Sequence, residues 1–277
     1  VFIAFFLILV GLYFMVYNLM NGYTDFSPVF SGVELFFILL LVPVLTMRII
    51  AEENRQKTDQ LLYTSPVSIA KIILGKYLAL ITLFGIAMLV VCLYPLILSG
   101  LVKQVATGTE AVDFAIAYGS ILGFFLLGAA YIAIGMFISS LTESQVIAAV
   151  ASGVIMIFTY LMTSLAGLLP SGHTFVFWFL AVLILVLSVG LYYWIHNGWL
   201  AGIIGVLAEA ALVILFLLKT ESFDGLIGNV LSQISITDRY QNFTYGIFDV
   251  SALVYYISVA FLFVFITIQR IKKKRFN

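Results

Sequence analysis

The chain has 277 residues, 64% of them apolar and 9% charged, and its thirteen basic side chains balance thirteen acidic ones. At a mean hydropathy of +1.19, a water-soluble fold would have to expose apolar areas that soluble monomers avoid. The composition therefore argues against a soluble enzyme, a nucleic-acid binder and a disulfide-stapled secreted domain, and for an integral membrane protein. Cys92 is the lone cysteine and can form no intrachain disulfide.

A helix needs about 20 predominantly apolar residues to cross the hydrocarbon core. Eight segments in chain order meet or approach that length: Phe2–Leu19, Val33–Ile50, Tyr77–Leu98, Phe114–Ile138, Val146–Leu168, Phe175–Ile195, Leu200–Leu218 and Ser251–Ile268. Their apolarity is continuous rather than alternating, which excludes a barrel, and an open strand would leave backbone polar groups unsatisfied in lipid. The predicted fold class is all-α: a polytopic membrane helix bundle of about eight spans, read as a single domain over 1–277.

Ten of the thirteen lysines and arginines fall in two groups. Arg48, Arg55, Lys57, Lys71 and Lys76 surround the second connection, and Arg270, Lys272, Lys273, Lys274 and Arg275 follow the last span. An even number of spans separates them, so both groups lie on one side, and the positive-inside tendency makes that side cytoplasmic. The reading predicts a bacterial cytoplasmic membrane protein with both termini inside. Asp25, Glu34, Glu110, Asp113, Glu221, Asp224, Asp238 and Asp249 fall at or near the opposite side.

Two connections are long. In the first, Ala51–Lys76, the stretch Glu52–Tyr63 is rich in helix formers and predicts a continuation of the second span. Thr64-Ser65-Pro66 breaks it, with Ser65 able to cap a new helix and Pro66 suited to its first position. Ile69, Ile72 and Ile73 then fall on one side, with Ser68 and Lys71 towards the other, which predicts an amphipathic helix-turn-helix at the inner membrane surface. It reads either as an interfacial anchor or as a docking surface for a cytoplasmic partner. In the second, Lys219–Val250, the spacing of Phe223, Leu226, Ile227, Val230, Leu231 and Ile234 predicts an amphipathic helix lying flat on the outer interface. Small residues four apart, among them Gly119/Gly123 and Ala149/Gly153, allow helices to approach closely.

Catalytic constellations are poorly represented. His173 and His196 belong to no metal motif and fall on opposite faces in this topology. Gly75-Lys76 lacks both the upstream glycine and the following Ser or Thr of a phosphate-binding loop, so the chain has no nucleotide site of its own. Glu209 is the one ionisable residue read as deep in a span, with no basic residue in any span to pair with it. It reads as a cavity-lining group on a transport pathway or as a structural hydrogen-bonding group. A secondary transporter or channel using Glu209 is the alternative function.

Residues Glu52–Leu78 resemble the permease subunits of ABC transporters of the type-2, exporter-like superfamily. Those carry, after the second span, a pattern close to E-x-x-x-G-T-x-x-L-L-x-x-P-V-S and then a basic-aliphatic stretch ending in G-K. Glu53, Thr58, Leu61, Leu62, Pro66, Val67, Ser68, Gly75 and Lys76 stand at those positions. Lys57 replaces the glycine before the threonine, a departure expected to stiffen the helix and leave the rest undisturbed. Ser139–Gln145 looks like the second cytoplasmic loop of the same permeases, and Phe243, Gly246, Asp249, Tyr255 and Ser258 are similar to the gliding-motility-associated branch.

The resemblance implies a cytoplasmic coupling helix seated in a groove of a separate ABC ATPase subunit, which would bind the ATP and Mg; no cofactor is expected in this chain. It implies a second permease, identical or related, and an exporter-like transport cycle. The branch also admits an accessory subunit, and family members carry an elbow helix before the first span, which would precede Val1. The residues it marks for ATPase coupling are Glu53, Arg55, Thr58, Leu61, Leu62, Pro66, Val67 and Ser68, with Thr142 and Glu143 as a second contact. The remaining partner is membrane lipid.

Overall fold

A computed structural model describes residues 2–58, 67–105, 111–170, 172–195 and 198–276, and every regular element among them is helical. In chain order these are α1 (Phe2–Phe14), continued by a π-helical turn Met15–Met20, then α2 (Ser27–Phe36), a second π turn Phe37–Leu41, and α3 (Val42–Thr46). After them come α4 (Ala51–Gln56), α5 (Ile69–Val91), α6 (Tyr94–Val105), α7 (Phe114–Leu141), α8 (Gln145–Leu168), α9 (His173–Ile195), α10 (Gly198–Leu218) and α11 (Leu226–Ile234). A 3₁₀ turn Thr220–Phe223 precedes α11, and a second, Asp238–Tyr240, leads into α12 (Gln241–Thr244) and the closing α13 (Val250–Phe276).

Among the described residues, seven helical stretches are long and apolar enough to cross a bilayer: Phe2–Met20, Ser27–Gln56, Ile69–Val102, Phe114–Leu141, Gln145–Met162, His173–Tyr193 and Val250–Lys274. The segment read as the seventh span forms α10, whose described apolar stretch, Gly202–Leu218, is shorter. The chain is thus an all-α polytopic helix bundle. It divides into two compact units, Val1–Tyr160 with Ile236–Asn277, and Leu161–Ser235.

In the first unit α7 is the central helix. Of its apolar window 72% is buried within the protein, against 22% for Phe2–Met20. Glycine is what allows neighbours this close. A Cβ at Gly128 would fall 2.3 Å from the Phe84 ring and 3.0 Å from Phe37, and one at Gly135 would fall 2.3 Å from the Thr46 hydroxyl. Around Gly128 the rings of Phe30, Phe37 and Phe84 surround Phe124, with centroids 4.7 Å (Phe30–Phe124) and 4.9 Å (Phe37–Phe124) apart, an arrangement that adds quadrupolar attraction to burial.

Three helix starts in this unit are held by acidic side chains. Asp25 accepts from the Ser27 N–H and hydroxyl at 2.9 Å, Asp113 from Ala115 N–H at 2.8 Å, and Asp249 from Ser251 N–H at 2.8 Å. Each satisfies amides that a helix start leaves without partners. With Pro28 in its first turn, α2 begins at Ser27 rather than at the predicted Val33.

In the second unit α9 and α10 pair, with a Cβ at Gly205 only 2.9 Å from Ser188 Cβ. The apolar stripe of the predicted outer helix is only partly free. Phe223 and Ile227 are buried against Val176, with Phe216 and Leu231 beside them, while Val230 and Ile234 stay exposed. Asp224 holds the start of α9 by accepting from the His173 N–H at 2.9 Å.

Candidate functional site

The residues marked by the sequence converge on the basic end of the first unit. Past α3 the chain makes a hydrogen-bonded turn, Met47–Ile50, and re-enters a helix at α4, where Ile50 offers no capping side chain of its own. The cap comes from α7. The buried Ser139 Oγ accepts from the Ile50 and Ala51 N–H groups at 3.3 and 3.1 Å and donates to Met47 O at 3.1 Å. One hydroxyl therefore fixes the angle at which α4 leaves the second span.

The α4 helix ends after six residues at Lys57, the single described non-glycine residue with positive φ (56°). Lys57 N–H and Thr58 N–H return to carbonyls of the last turn, Asn54 O at 3.4 Å and Glu53 O at 3.2 Å. This is the left-handed helix stop that glycine adopts most cheaply. Lys57 does not stiffen a longer helix, as its replacement of glycine led one to expect; it ends the helix in the conformation that glycine would supply.

Glu53 projects from α4 to Lys76 of α5, forming an ion pair, and Lys76 Nζ also donates to Ile49 O at 3.0 Å. The Lys76 side chain is only 16% exposed, so its charge depends on those two acceptors. Two residues of the sequence motif, 23 positions apart, thus form one contact. Asn54 is buried and accepts from Lys274 Nζ at 3.1 Å, which brings the C-terminal basic group to the end of the bundle where α4 lies. The Arg48 guanidinium donates through Nε to Gln145 Oε1 at 3.1 Å, joining that end to the start of α8.

Arg55 is exposed and pairs with Glu52 at 3.0 Å, and Glu143 is exposed. Thr142 terminates α7, and its hydroxyl accepts from the Ser144 N–H at 3.1 Å. Val67 and Ser68 are exposed in the extended entry to α5. Leu61, Leu62 and Pro66, with the predicted Thr64–Pro66 break, lie outside the described residues. Glu53, Arg55, Thr58, Thr142 and Glu143 therefore share one end, braced by Ser139, Lys76 and Gln145, whose bracing role the sequence reading did not assign.

The second half of the predicted helix-turn-helix differs from expectation. Ile69 and Ile73 are buried against Ile50, Val264, Ile268 and Ile271 inside the bundle, not laid on a membrane surface. No breaker separates Lys76 from the apolar run that follows, so these residues form the first turns of the third span, Ile69–Val91.

Intramembrane acids form a second feature. Glu209, on α10 in the second unit, is half-buried, with Oε1 unpartnered among the described residues. The structure adds Glu34, which the sequence reading placed near the outer edge. Because α2 starts at Ser27, Glu34 lies two turns inside the helix, 8% exposed, and its Oε1 likewise accepts no hydrogen bond. The Asp25-x-Ser27-Pro28 start signal was the clue to its depth.

A groove of about 540 Å³ between α5 and α7 is almost wholly apolar. Its hydroxyls, Thr82 and Tyr118, already donate to Leu78 O at 2.8 Å and Cys92 O at 3.3 Å, so nothing there awaits a polar ligand.

The candidate coupling residues thus lie at the basic end of a chain whose described helices include seven long and apolar enough to cross a membrane, the build of a multi-pass membrane protein. The family model for the ABC-2 family transporter protein matches residues 3–270, and the chain belongs to that family. It is the permease component of an ABC transporter, a multi-pass membrane protein, and the family implies association with ABC ATPase components. No curated protein and no solved structure matches the chain.

Proposed function

We propose that this permease seats an ATP-hydrolysing subunit on the end formed by α4 and the Thr142–Gln145 connection. The observation that carries the reading is the Glu53–Lys76 contact: it ties the short helix that bears Arg55 and leads into Thr58 to the third span, so a push on α4 is a push on α5. Ser139 and the Arg48–Gln145 hydrogen bond extend the same rigid connection to α7 and α8. Closure of two ATPase subunits on ATP would bring two such ends together and shift the paired bundles between inward- and outward-open arrangements. The working unit has two permeases, identical or related, and the direction is export. The basic end faces the cytoplasm of a bacterial inner membrane, as the lysine and arginine distribution favours.

Co-purification with an ABC ATPase subunit co-expressed with this chain tests the reading. Glu53→Lys sets two cations against each other and should reduce recovered ATPase severalfold while the bundle stays folded. Normal yield and normal ATPase activity with this variant would overturn it. Glu209, with its unpartnered Oε1, is the group we assign to the transport pathway. Substrate-stimulated ATPase activity that is unchanged in Glu209→Leu would remove that assignment.

A further inference from the structure

Glu34 presents an unresolved charge balance inside the first unit. It is more than nine-tenths buried, its Oε1 has no hydrogen-bond partner, and it makes no ion pair among the described residues. An ionised carboxylate left bare in an apolar interior costs several kcal/mol, so it is compensated or neutralised. Phe30 and Phe37, about one turn to either side of Glu34 on its own helix face, both pack on Phe124, whose ring centroid lies 6.0 Å from that of Tyr240. Tyr131 of α7, Tyr160 of α8, Tyr240 before α12 and Tyr256 of α13 lie within electrostatic reach of Glu34. Tyr13 of α1 covers Gly32, two residues earlier on α2.

Three hydroxyls of that set differ in availability. Tyr256 donates to Ile236 O at 2.8 Å, and Tyr131 shares a hydrogen bond with Thr159 at 3.1 Å. The Tyr240 hydroxyl is fully buried and has no partner. The Arg239 guanidinium lies 4.3 Å over the Tyr255 ring. A buried carboxylate oxygen and a buried hydroxyl oxygen, both unsatisfied and on side chains that share the Phe124 neighbourhood, are the kinds of oxygen that hold a proton or a small hard cation.

We propose that Glu34, with Tyr240, holds one exchangeable positive charge inside the bundle, either a proton on the carboxyl or a dehydrated alkali ion. In the proton case the carboxylate takes the proton from water and returns it there, and no other group changes charge. In the alkali case Glu34 supplies the charge, and Tyr240 supplies a neutral oxygen. The inference does not depend on the ATPase-docking reading, because its test needs only the purified full chain.

Thermal unfolding in detergent is compared in sodium, potassium and N-methylglucamine chloride at equal ionic strength, together with infrared spectra of the protonated-carboxyl C=O stretch across pH. The alkali case gives a Tm that rises with sodium or potassium over N-methylglucamine, a rise lost in Glu34→Gln and reduced in Tyr240→Phe. The proton case gives a carboxylic-acid band near neutral pH that disappears reversibly at high pH and is missing in Glu34→Gln. If Glu34→Gln fails to fold, Glu209→Gln removes the other unpartnered carboxyl, and a band that persists there and moves in Tyr240→Phe reports Glu34. A wild-type chain with neither a cation-specific Tm rise nor a titrating carboxyl band overturns the proposal.

Discussion

Replacing Lys76 with methionine keeps the stem that packs at the start of α5 and removes the charge that joins it to α4. Two interactions are lost, the Glu53 ion pair and the 3.0 Å donation to Ile49 O. Hydrogen bonds involving a charged group are worth about 1.5–3 kcal/mol, whereas exposed ion pairs are worth about 0.2–1. Here the side chains are 16% and 31% exposed, so the pair is neither fully screened nor fully desolvated. At an effective dielectric of about 20 the attraction is roughly 4 kcal/mol, and desolvation of the two charges offsets most of it. The expected loss for Lys76→Met is about 2–3 kcal/mol. Glu53→Gln keeps an acceptor oxygen for Lys76 and should lose about 1. A double-mutant cycle on the purified chain, read by reversible denaturation in detergent, should return a coupling of about 1–2 kcal/mol. Additivity within about 0.3 kcal/mol, or a Lys76→Met no less stable than Glu53→Gln, would refute the claim that this contact joins α4 to α5.

Lys57→Gly should stabilise α4 by about 0.5–1 kcal/mol, since glycine removes a left-handed cost of about 1–2 while adding chain entropy, and Lys57→Val should destabilise it; thermal unfolding decides between these signs. Gly128→Ala places a methyl 2.3 Å from the Phe84 ring and should cost about 1–3 kcal/mol, read as a lower Tm. Asp249→Ala removes a helix cap and should cost about 1 kcal/mol at neutral pH. The Asn242 amide, donating at 2.8 Å, and the Ala252 and Ser251 amides hold the Asp249 carboxyl below its ordinary value of 3.8. Its contribution is therefore complete above pH 3.8 and is lost as pH falls through the lowered value, so wild type and Asp249→Ala should converge in stability at strongly acidic pH.

The helices were legible because lipid demands long apolar runs, and those runs do not depend on tertiary detail. Their ends were less so. The start of α2 depends on Asp25 reaching back over Ser27, a short-range signal outside the apolar stretch, and missing it hid the burial of Glu34. Motif spacing singled out the candidate coupling residues, but not the contacts that hold the motif together. Glu53 and Lys76 meet across a connection of more than twenty residues, and α4 is capped by a serine 88 positions away. The burial of Ile69 and Ile73 was misread because an amphipathic pattern looks the same whether its apolar face meets lipid or the start of another helix.

What touches Lys57, the exposed residue that ends α4, is the most direct test of ATPase docking at the α4 end. A photo-crosslinking amino acid placed there in living cells, with a second placed at exposed Tyr245 beyond α12, reports the partner on each side. The prediction is an adduct at position 57 that contains the ATP-hydrolysing subunit and none at position 245. An adduct to that subunit at 245 alone, or labelling of a Lys57→Cys variant by an impermeant thiol reagent added outside intact cells, would contradict it.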